Sequence, residues 1–520
     1  MTLKAASFEI FDSNSFAFVI SQKFYYQIYY KAQPYSLLLA MRIPILILTA
    51  ALLLLEAPAP SEPASLPNII LILADDLGYG DPRCYNPDSK VPTPHIDQMA
   101  REGVMFTDAH TNSSVCTPTR YGILTGQYAW RGPLKQGVTW SYDSLIIDRS
   151  MSTTASILQQ QGYRTACVGK WHLGLGWVTE GDSVQFDEPL TASPQDVGFD
   201  YFYGIAASLD IPPYVYLENR RVVQQPTGTS EGNSPVTQED FWRKGPVSPD
   251  FNHYETLHHL TAKAEQVIRR NAAEEQPFFL YFSLTAPHLP WIPRDAFKGV
   301  SQAGNYGDLT AEVDQVVGQI NQLVEKLDIE EETIIIFTSD NGSQFSSENM
   351  EKYDHRANGP WRGRKGDVYE GGHRVPFIVK WPGQAQEGQR SDQLVSTTDF
   401  YATFADITGA DLPADEVKDS YSFLPAITQE DTDQAVRDAM AYHSAKGMFA
   451  FRHNNWVLVK GKGSGGFLET PDTTRMEAPY QLYDLESDPA QRHNRYAEEK
   501  EKARQMKATL REIVCRADTE

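Results

Sequence analysis

Short apolar runs that alternate with helical patterns constrain the fold of this chain more than any other feature. Residues 69–73, 278–284 and 333–338 have the length of strands and are apolar almost throughout, as in strands buried on both faces of a sheet. Amphipathic helical patterns at 254–271 and 309–327 lie between them. The alternation predicts an α/β fold in which helices cover both faces of a large, mostly parallel sheet.

Acidic and amide residues follow two of these predicted strands. Asp75 and Asp76 come after residues 69–73, and Asp340 and Asn341 come after residues 333–338. The carboxyl ends of parallel strands are where α/β sheets bind ligands, although either pair could instead form an ordinary solvated turn. Oxygen donors without a histidine favour a hard cation such as calcium over zinc.

A cysteine lies at a predicted helix start, in S-S-V-C-T-P-T-R-Y-G-I-L-T-G at residues 113–126. Pro118 suits the first turn of a helix, which would place Cys116 at the helix N-terminus. Anions are favoured there, and Arg120, one turn later, can point at the same spot. The alternative is that Cys116 is a small buried hydrophobic residue.

Further candidates follow other predicted strands. Lys170 and His172 come after a strand at 163–168 and share a face if the segment is extended. His288 follows the strand at 278–284. Taken singly, such a lysine is usually a solvated charge and such a histidine usually structural.

Several of these segments resemble the type I sulfatases. C-T-P-T-R with L-T-G after it is similar to the family signature C-x-P-S-R, with Thr119 in place of the serine. N-I-I-L-I-L-A-D-D, G-K-W-H-L-G, T-A-P-H and E-G-G-H-R-V-P, the last of which follows Lys365, also resemble family segments. The resemblance runs from about residue 67 to about residue 500 and is weakest between residues 174 and 254.

The resemblance implies an alkaline phosphatase-like fold and a particular active site. Cys116 would be oxidised by a formylglycine-generating enzyme to formylglycine, whose hydrated aldehyde attacks the sulfur of a sulfate ester. The family pattern also implies one calcium ion. Its implied ligands are Asp75, Asp76, the converted Cys116, Asp340 and Asn341.

The remaining implied roles concern the sulfate and the leaving group. Lys170 and Lys365 would contact the sulfate, and with Arg120 and the calcium ion they would neutralise its charge. His288, alone or with Lys365, would protonate the departing alcohol. His172 would hold a hydroxyl of the formylglycine and assist release of sulfate.

The predicted function is hydrolysis of sulfate esters, with a sulfated carbohydrate as the expected substrate and simple aryl sulfates as artificial ones. Sulfated galactose or N-acetylgalactosamine units are the first expectation for the sugar. A phosphonate or phosphoric ester hydrolase of the same superfamily is one alternative, and a non-catalytic protein that binds sulfated glycans is another. Loops at 210–214 and 241–253 are candidate pocket walls or ordinary surface insertions.

Composition narrows the possible partners. The chain has 46 Lys and Arg against 68 Asp and Glu, a formal charge of −22, which argues against broad attraction to nucleic acid or to an anionic membrane. The four cysteines are Cys84, Cys116, Cys167 and Cys515. If Cys116 is converted, at most one disulfide can form.

The N-terminal region predicts export. Met41 and Arg42 precede an apolar run at 43–55 and a small-residue segment, a pattern typical of a cleaved signal peptide at 41–65. Residues 1–40 would then be an extension upstream of the true start, and the mature protein would be secreted or periplasmic without stable membrane insertion. The competing interpretation is an N-terminal membrane anchor.

Two domains are expected. Residues 67–412 would form the catalytic sulfatase domain, and residues 413–520 a smaller C-terminal α+β subdomain with an antiparallel sheet. In the second part, a hairpin is predicted at 448–460, a strand at 480–488 and a terminal helix at 495–514.

Overall fold

A computed structural model describes residues 66–233, 239–412, 417–428, 435–467 and 479–515. The predicted upstream extension, the predicted signal peptide and the expected domain boundary at residue 413 lie outside the described residues. No helix in the described ranges is long and apolar enough to cross a membrane. The described residues belong to the unit Leu66–Glu520.

Twenty strands occur within the described residues. They are β1 (Asn68–Ala74), β2 (Val104–Phe106), β3 (Ala109–His110), β4 (Arg164–Lys170), β5 (Thr179–Glu180), β6 (Ser183–Val184), β7 (Tyr201–Ile205), β8 (Leu217–Glu218), β9 (Arg221–Val222), β10 (Gly228–Ser230), β11 (Gly245–Val247), β12 (Phe278–Ser283), β13 (Thr333–Ser339), β14 (Phe377–Lys380), β15 (Gln389–Ser391), β16 (Val395–Ser396), β17 (Ala439–His443), β18 (Phe449–His453), β19 (Trp456–Val459) and β20 (Gln481–Asp484).

The described ranges also contain ten α-helices. They are α1 (Pro94–Arg101), α2 (Cys116–Thr125), α3 (Thr154–Gln160), α4 (Thr256–Asn271), α5 (Gly304–Lys326), α6 (Ser347–Tyr353), α7 (Glu370–His373), α8 (Phe400–Thr408), α9 (Leu424–Thr428) and α10 (Lys500–Cys515). Short 3-10 helices occur at Ala129–Arg131, Pro194–Val197, His253–Glu255 and Thr397–Asp399.

A ten-stranded sheet organises the molecule, in the order β15-β2-β14-β13-β1-β12-β4-β7-β8-β9. The five strands from β13 to β7 are mutually parallel, as predicted. β14 runs antiparallel to both of its neighbours, so the sheet as a whole is mixed. The carboxyl ends of β13, β1, β12 and β4 therefore meet along one edge.

Both faces of this sheet are buried, which explains why its central strands are apolar throughout. In β1, Ile70 and Ile72 contact the hydrophobic core on one side, which includes residues of α4 and α5. Ile69, Leu71 and Leu73 contact the core on the other side, which includes residues of α2, α3 and α8. The two-sided burial confirms the predicted layered α/β architecture.

A smaller antiparallel sheet, β17-β18-β19-β20, forms the C-terminal part with α10 against it. The predicted hairpin is confirmed as β18 and β19. The predicted strand at 480–488 ends at Asp484, because the carbonyl of Asp484 accepts the N–H of Asp488 at 2.8 Å in a turn. The predicted terminal helix begins at Lys500 rather than residue 495, because the N–H of Arg495 donates to Leu482 O in β20.

Buried charges join the two sheets. The two Asp108 oxygens accept from Arg374 of the large-sheet region and from Arg452 of β18, both at 2.6 Å. His110 and His373 meet through their Nδ1 atoms at 3.0 Å beside this pair of ion pairs. These buried ion pairs connect the C-terminal sheet to the large-sheet region.

Candidate active site

The predicted cation-binding residues lie together at the carboxyl edge of the central sheet. β1 and β13 are parallel neighbours in register, so the residues that follow them are adjacent. Asn341 Nδ2 donates to Asp76 Oδ1 at 2.7 Å, and the N–H of Asp76 donates to Asp340 Oδ1 at 3.1 Å. Asp75, Asp76, Asp340 and Asn341 are all buried.

Cys116 is the first residue of α2, which confirms the predicted helix start. Its Sγ lies 3.9 Å from Asp75 Oδ1, so the helix N-terminus faces the acidic residues. α2 is buried along its whole length. The free N–H groups of its first turn add positive potential at this point.

Two lysines reach the aspartates that follow β1. Lys170 Nζ lies 2.9 and 2.7 Å from the two carboxylate oxygens of Asp75. Lys365 Nζ lies 2.7 Å from Asp76 Oδ2. All four side chains are buried, so each pair interacts with little screening by water.

Arg120 provides a third buried cation. Its Nε and Nη2 donate to Asp340 Oδ2 at 3.0 and 2.6 Å, and its Nη2 lies 3.7 Å from Asp75 Oδ1. Arg120 therefore points towards the acidic residues, and most of its donors are engaged by protein groups. Three aspartates and three cations thus balance one another in charge.

The tautomers of both predicted histidines follow from their contacts. His172 Nε2 lies 2.8 Å from the carbonyl oxygen of Thr139 and must carry the proton, because a carbonyl only accepts. His172 Nδ1 is buried and has no hydrogen-bond partner among the described residues. His288 Nδ1 donates to Leu289 O at 2.7 Å, and its Nε2 lies 3.7 Å from Asp76 Oδ2.

Burial and neighbouring charges set the protonation states. Burial alone would raise the pKa of Asp75, but the nearby cations, Lys170 above all, bring that pKa below its usual value. Burial raises the pKa of the Cys116 thiol to about 12, so the thiol is protonated at neutral pH. Burial, with Lys170 beside it, holds the pKa of His172 well below the usual range. His172 is therefore neutral.

Unusual backbone conformations occur at two site residues. Asp76 has φ 64° and His172 has φ 59°, in the left-handed region that non-glycine residues seldom adopt. Gly169, at φ 116°, precedes Lys170, and a Cβ there would lie 1.7 Å from Ser283 O. Strained residues persist where the surrounding structure holds them, and they cluster at functional sites.

The donor set fits a hard cation. Asn341 Oδ1 is buried and accepts no hydrogen bond from the described residues. Ligand atoms of Asp75, Asp76, Cys116 and His288 lie within 4.8 Å of one another. Carboxylate and amide oxygens are among the ligands that calcium takes in proteins. His288, which was not predicted as a ligand, also belongs to this close group.

The structure brings all of the predicted site residues to this one edge, and it adds two that the sequence did not identify. Ser283 Oγ accepts a hydrogen bond from Arg120. The carbonyl of Thr139 holds His172. Ser283 could have been noticed as the polar residue that ends an apolar strand, whereas a backbone carbonyl in a loop leaves no signal in the sequence.

The four cysteines are all free. Cys167 is as deeply buried as Cys116 but lies within β4, where burial raises its pKa above the usual thiol value. No disulfide therefore contributes to the site or to the fold in the described residues.

Comparison with family models gives two matches. Residues 67–410 match the model described as Sulfatase. Residues 363–517 match the model described as N-sulphoglucosamine sulphohydrolase, C-terminal.

Individual proteins give the same result. The chain is 33% identical over 496 residues to the N-acetylgalactosamine-6-O-sulfatase of Bacteroides thetaiotaomicron, covering 86% of this chain and 93% of that protein. It is 32% identical over 475 residues to human arylsulfatase A, covering 85% and 86% of the two chains.

A solved structure from work on the metabolism of multiple glycosaminoglycans by Bacteroides thetaiotaomicron superposes with a TM-score of 0.78 at 31% identity, covering 87% of this chain and all of that one. The fold, the edge of the sheet that holds the site and these similarities agree. The chain belongs to the type I sulfatase family and is a sulfuric ester hydrolase.

Proposed function

We propose that this chain removes sulfate from a sulfated carbohydrate, using a formylglycine made from Cys116 and one bound calcium ion. The observation that carries the proposal is the position of Cys116, at a helix N-terminus and 3.9 Å from a buried aspartate whose neighbours are cations. As a protonated thiol, Cys116 would be a poor nucleophile, which supports a role for its oxidised form.

Five residues are assigned to calcium: Asp75, Asp76, the converted Cys116, Asp340 and Asn341. When bound, the ion would supply positive charge towards the sulfate oxygens, and the hydrated aldehyde would supply the attacking hydroxyl. Lys170 and Lys365 are assigned to the sulfate. An ammonium group has three N–H donors, so each lysine can donate to a sulfate oxygen as well as to its aspartate.

The two histidines are assigned to proton transfer. Leu289 O holds a proton on Nδ1 of His288, so His288 acts as the acid in its doubly protonated form, in which Nε2 gives a proton to the departing alcohol. Thr139 O fixes a proton on Nε2 of His172, and the ring is neutral, so Nδ1 has a free lone pair. His172 is therefore the base that takes a proton during release of sulfate.

The similarity to an N-acetylgalactosamine-6-O-sulfatase supports a 6-sulfated N-acetylgalactosamine unit as the sugar. We also propose the domain organisation expected from the sequence, with a catalytic domain at residues 67–412 and a smaller C-terminal subdomain at residues 413–520.

The central experiment tests whether Cys116 is converted to formylglycine and whether turnover depends on it. The chain is coexpressed with a formylglycine-generating enzyme, and the tryptic peptide 102–120 is analysed by mass spectrometry. We expect the aldehyde at position 116 and turnover of 4-nitrophenyl sulfate that exceeds turnover of 4-nitrophenyl phosphate. Cys116→Ala should abolish turnover while the circular dichroism spectrum is unchanged, and Cys167→Ala, at an equally buried cysteine, should retain it. Full turnover with an intact thiol would reject the proposal.

We also propose export through cleavage of a signal peptide at residues 41–65, followed by release of the mature chain to the periplasm or the medium. The apolar run at 43–55 supports this. Sequencing of the mature N-terminus is the test, and a terminus upstream of residue 50 would contradict cleavage.

A further inference from the structure

Arg243 lies where the two predicted pocket walls meet. Its backbone N–H donates to Asp210 O at 3.1 Å, and its guanidinium forms an ion pair with the Asp210 carboxylate. The hydroxyl of Tyr214 donates to Arg243 O at 2.6 Å. Backbone and side-chain contacts together hold this arginine in one place.

Aromatic rings flank the Arg243 guanidinium. Its Cζ lies 5.1 Å from the ring centroid of Trp140 and 5.0 Å from that of Phe241. Trp140 is 50% exposed and the Arg243 side chain is 34% exposed. Nη1 makes the contacts with Asp210, whereas Nε and Nη2 form no hydrogen bond with any described residue. A half-exposed tryptophan ring with the guanidinium over one of its faces is therefore combined with free planar donors.

This platform adjoins both catalytic histidines. Trp140 directly follows Thr139, whose carbonyl holds His172 at 2.8 Å. Asp210 Oδ1 lies 4.0 Å from His288 Nδ1 and has no hydrogen-bond partner in the described ranges. Trp140 is therefore one residue from the carbonyl that holds His172, and the Asp210 side chain lies between Arg243 and His288.

We propose that Trp140 and Arg243 form the subsite that binds the sugar ring carrying the sulfate to be removed. This inference rests on the proposed function and names the residues that select the sugar. Trp140 offers an apolar face for stacking against the ring, and Arg243 offers N–H donors to ring and hydroxyl oxygens. Because Asp210 neutralises the arginine, the subsite favours uncharged sugar oxygens over a second anionic group.

The test compares Trp140→Ala and Arg243→Gln with the parent on two substrates, 6-O-sulfated N-acetylgalactosamine and 4-nitrophenyl sulfate. We expect kcat/KM for the sugar to fall about tenfold more than kcat/KM for the aryl sulfate, mainly through KM. Arg243→Lys, which keeps the charge but loses the planar fork, should show an intermediate loss on the sugar.

Tyr421→Ala is the matched control, because Tyr421 is 49% exposed and has the Arg437 guanidinium 4.5 Å from its ring centroid. It should leave both substrates unaffected. Equal losses on the two substrates, or no loss on the sugar, would overturn the subsite.

A parent enzyme inactive on both substrates would reject the proposed function by itself. Calorimetric binding of 6-O-sulfated N-acetylgalactosamine then decides the subsite. Weaker binding in Trp140→Ala than in Tyr421→Ala supports it, and equal binding in the two variants overturns it.

Discussion

Replacing Lys365 with methionine should expose the coupling between the buried charges and calcium. Lys365 Nζ lies 2.7 Å from Asp76 Oδ2, and both side chains are almost fully buried. Removing one partner of a buried ion pair costs about 3–5 kcal/mol, because the remaining charge is left uncompensated. In calcium-free buffer, Lys365→Met should therefore lower the free energy of unfolding by that amount.

The expected change in melting temperature follows from the size of the unit Leu66–Glu520. At about 2.1 cal/mol/K per residue over roughly 450 residues, the entropy of unfolding is about 1 kcal/mol/K, so the shift is about 3–5 °C. Saturating calcium should at least halve the shift, because the ion compensates Asp76 in place of the lysine. Differential scanning calorimetry with EGTA and with calcium measures both values.

A surface pair of the same length provides the control. Lys298 Nζ lies 2.7 Å from Asp295 Oδ1, but both side chains are exposed, so Lys298→Met should not change the melting temperature measurably. If Lys365→Met loses the same stability with and without calcium, Asp76 does not bind the ion. If the variant loses nothing in EGTA, the charge-balance argument is wrong.

Three further predictions concern single residues. Asn341→Ala removes the unpaired amide oxygen and should weaken calcium binding about tenfold or more by calorimetry, whereas unchanged affinity would exclude Asn341 as a ligand. His288→Ala should lower kcat by about 10²–10⁴ on a sugar sulfate and by less on 4-nitrophenyl sulfate, whose leaving group needs little protonation. A loss independent of the leaving group would contradict the general-acid role. Burial lowers the pKa of His443 to about 4. Below about pH 6.5 the unfolded chain therefore takes up a proton that the folded chain does not, so the free energy of unfolding decreases as the pH is lowered. His443→Phe should remove about 2 kcal/mol of the stability lost between pH 7 and 4.5 in urea unfolding, and an unchanged loss would show that His443 does not titrate this way.

Much of the site was predictable because it lies at the ends of apolar strands. Asp75, Asp76, Asp340 and Asn341 each follow a strand that is buried on both faces, and parallel strands bring their ends together without further information. The order of the parallel strands in the sheet was enough to predict that these four residues lie together. Cys116 was predictable for a similar reason, since Pro118 marks the start of its helix.

The partners of the charged residues were not predictable. Arg120 and Asp340 are 220 residues apart in the chain, and nothing in the spacing of either motif states that one binds the other. Lys365 and Asp76 are 289 residues apart. Such pairs follow from the complete tertiary structure, which motif spacing does not describe.

Two elements differ from the sequence prediction for physical reasons. α5 begins at Gly304, five residues before the predicted start, although glycine is a poor helix former. The Asp308 carboxylate accepts the N–H groups of Gly299 and Ser301 and so holds the first turn. β7 was missed because Y-F-Y-G-I is short and lacks alternation, and it forms by pairing with the edge of β4.

The charge balance of the site explains how a chain of net charge −22 acts on an anion. Asp75, Asp76 and Asp340 are matched by Lys170, Lys365 and Arg120, so these groups together are neutral. A carboxylate has enough lone pairs to accept from a lysine and bind a cation at once, so calcium would add two positive charges without displacing the lysines. A sulfate monoester carries one negative charge and would meet a local excess of positive charge. If calcium binds as proposed, recognition of sulfate would therefore depend on the ion and the three buried pairs.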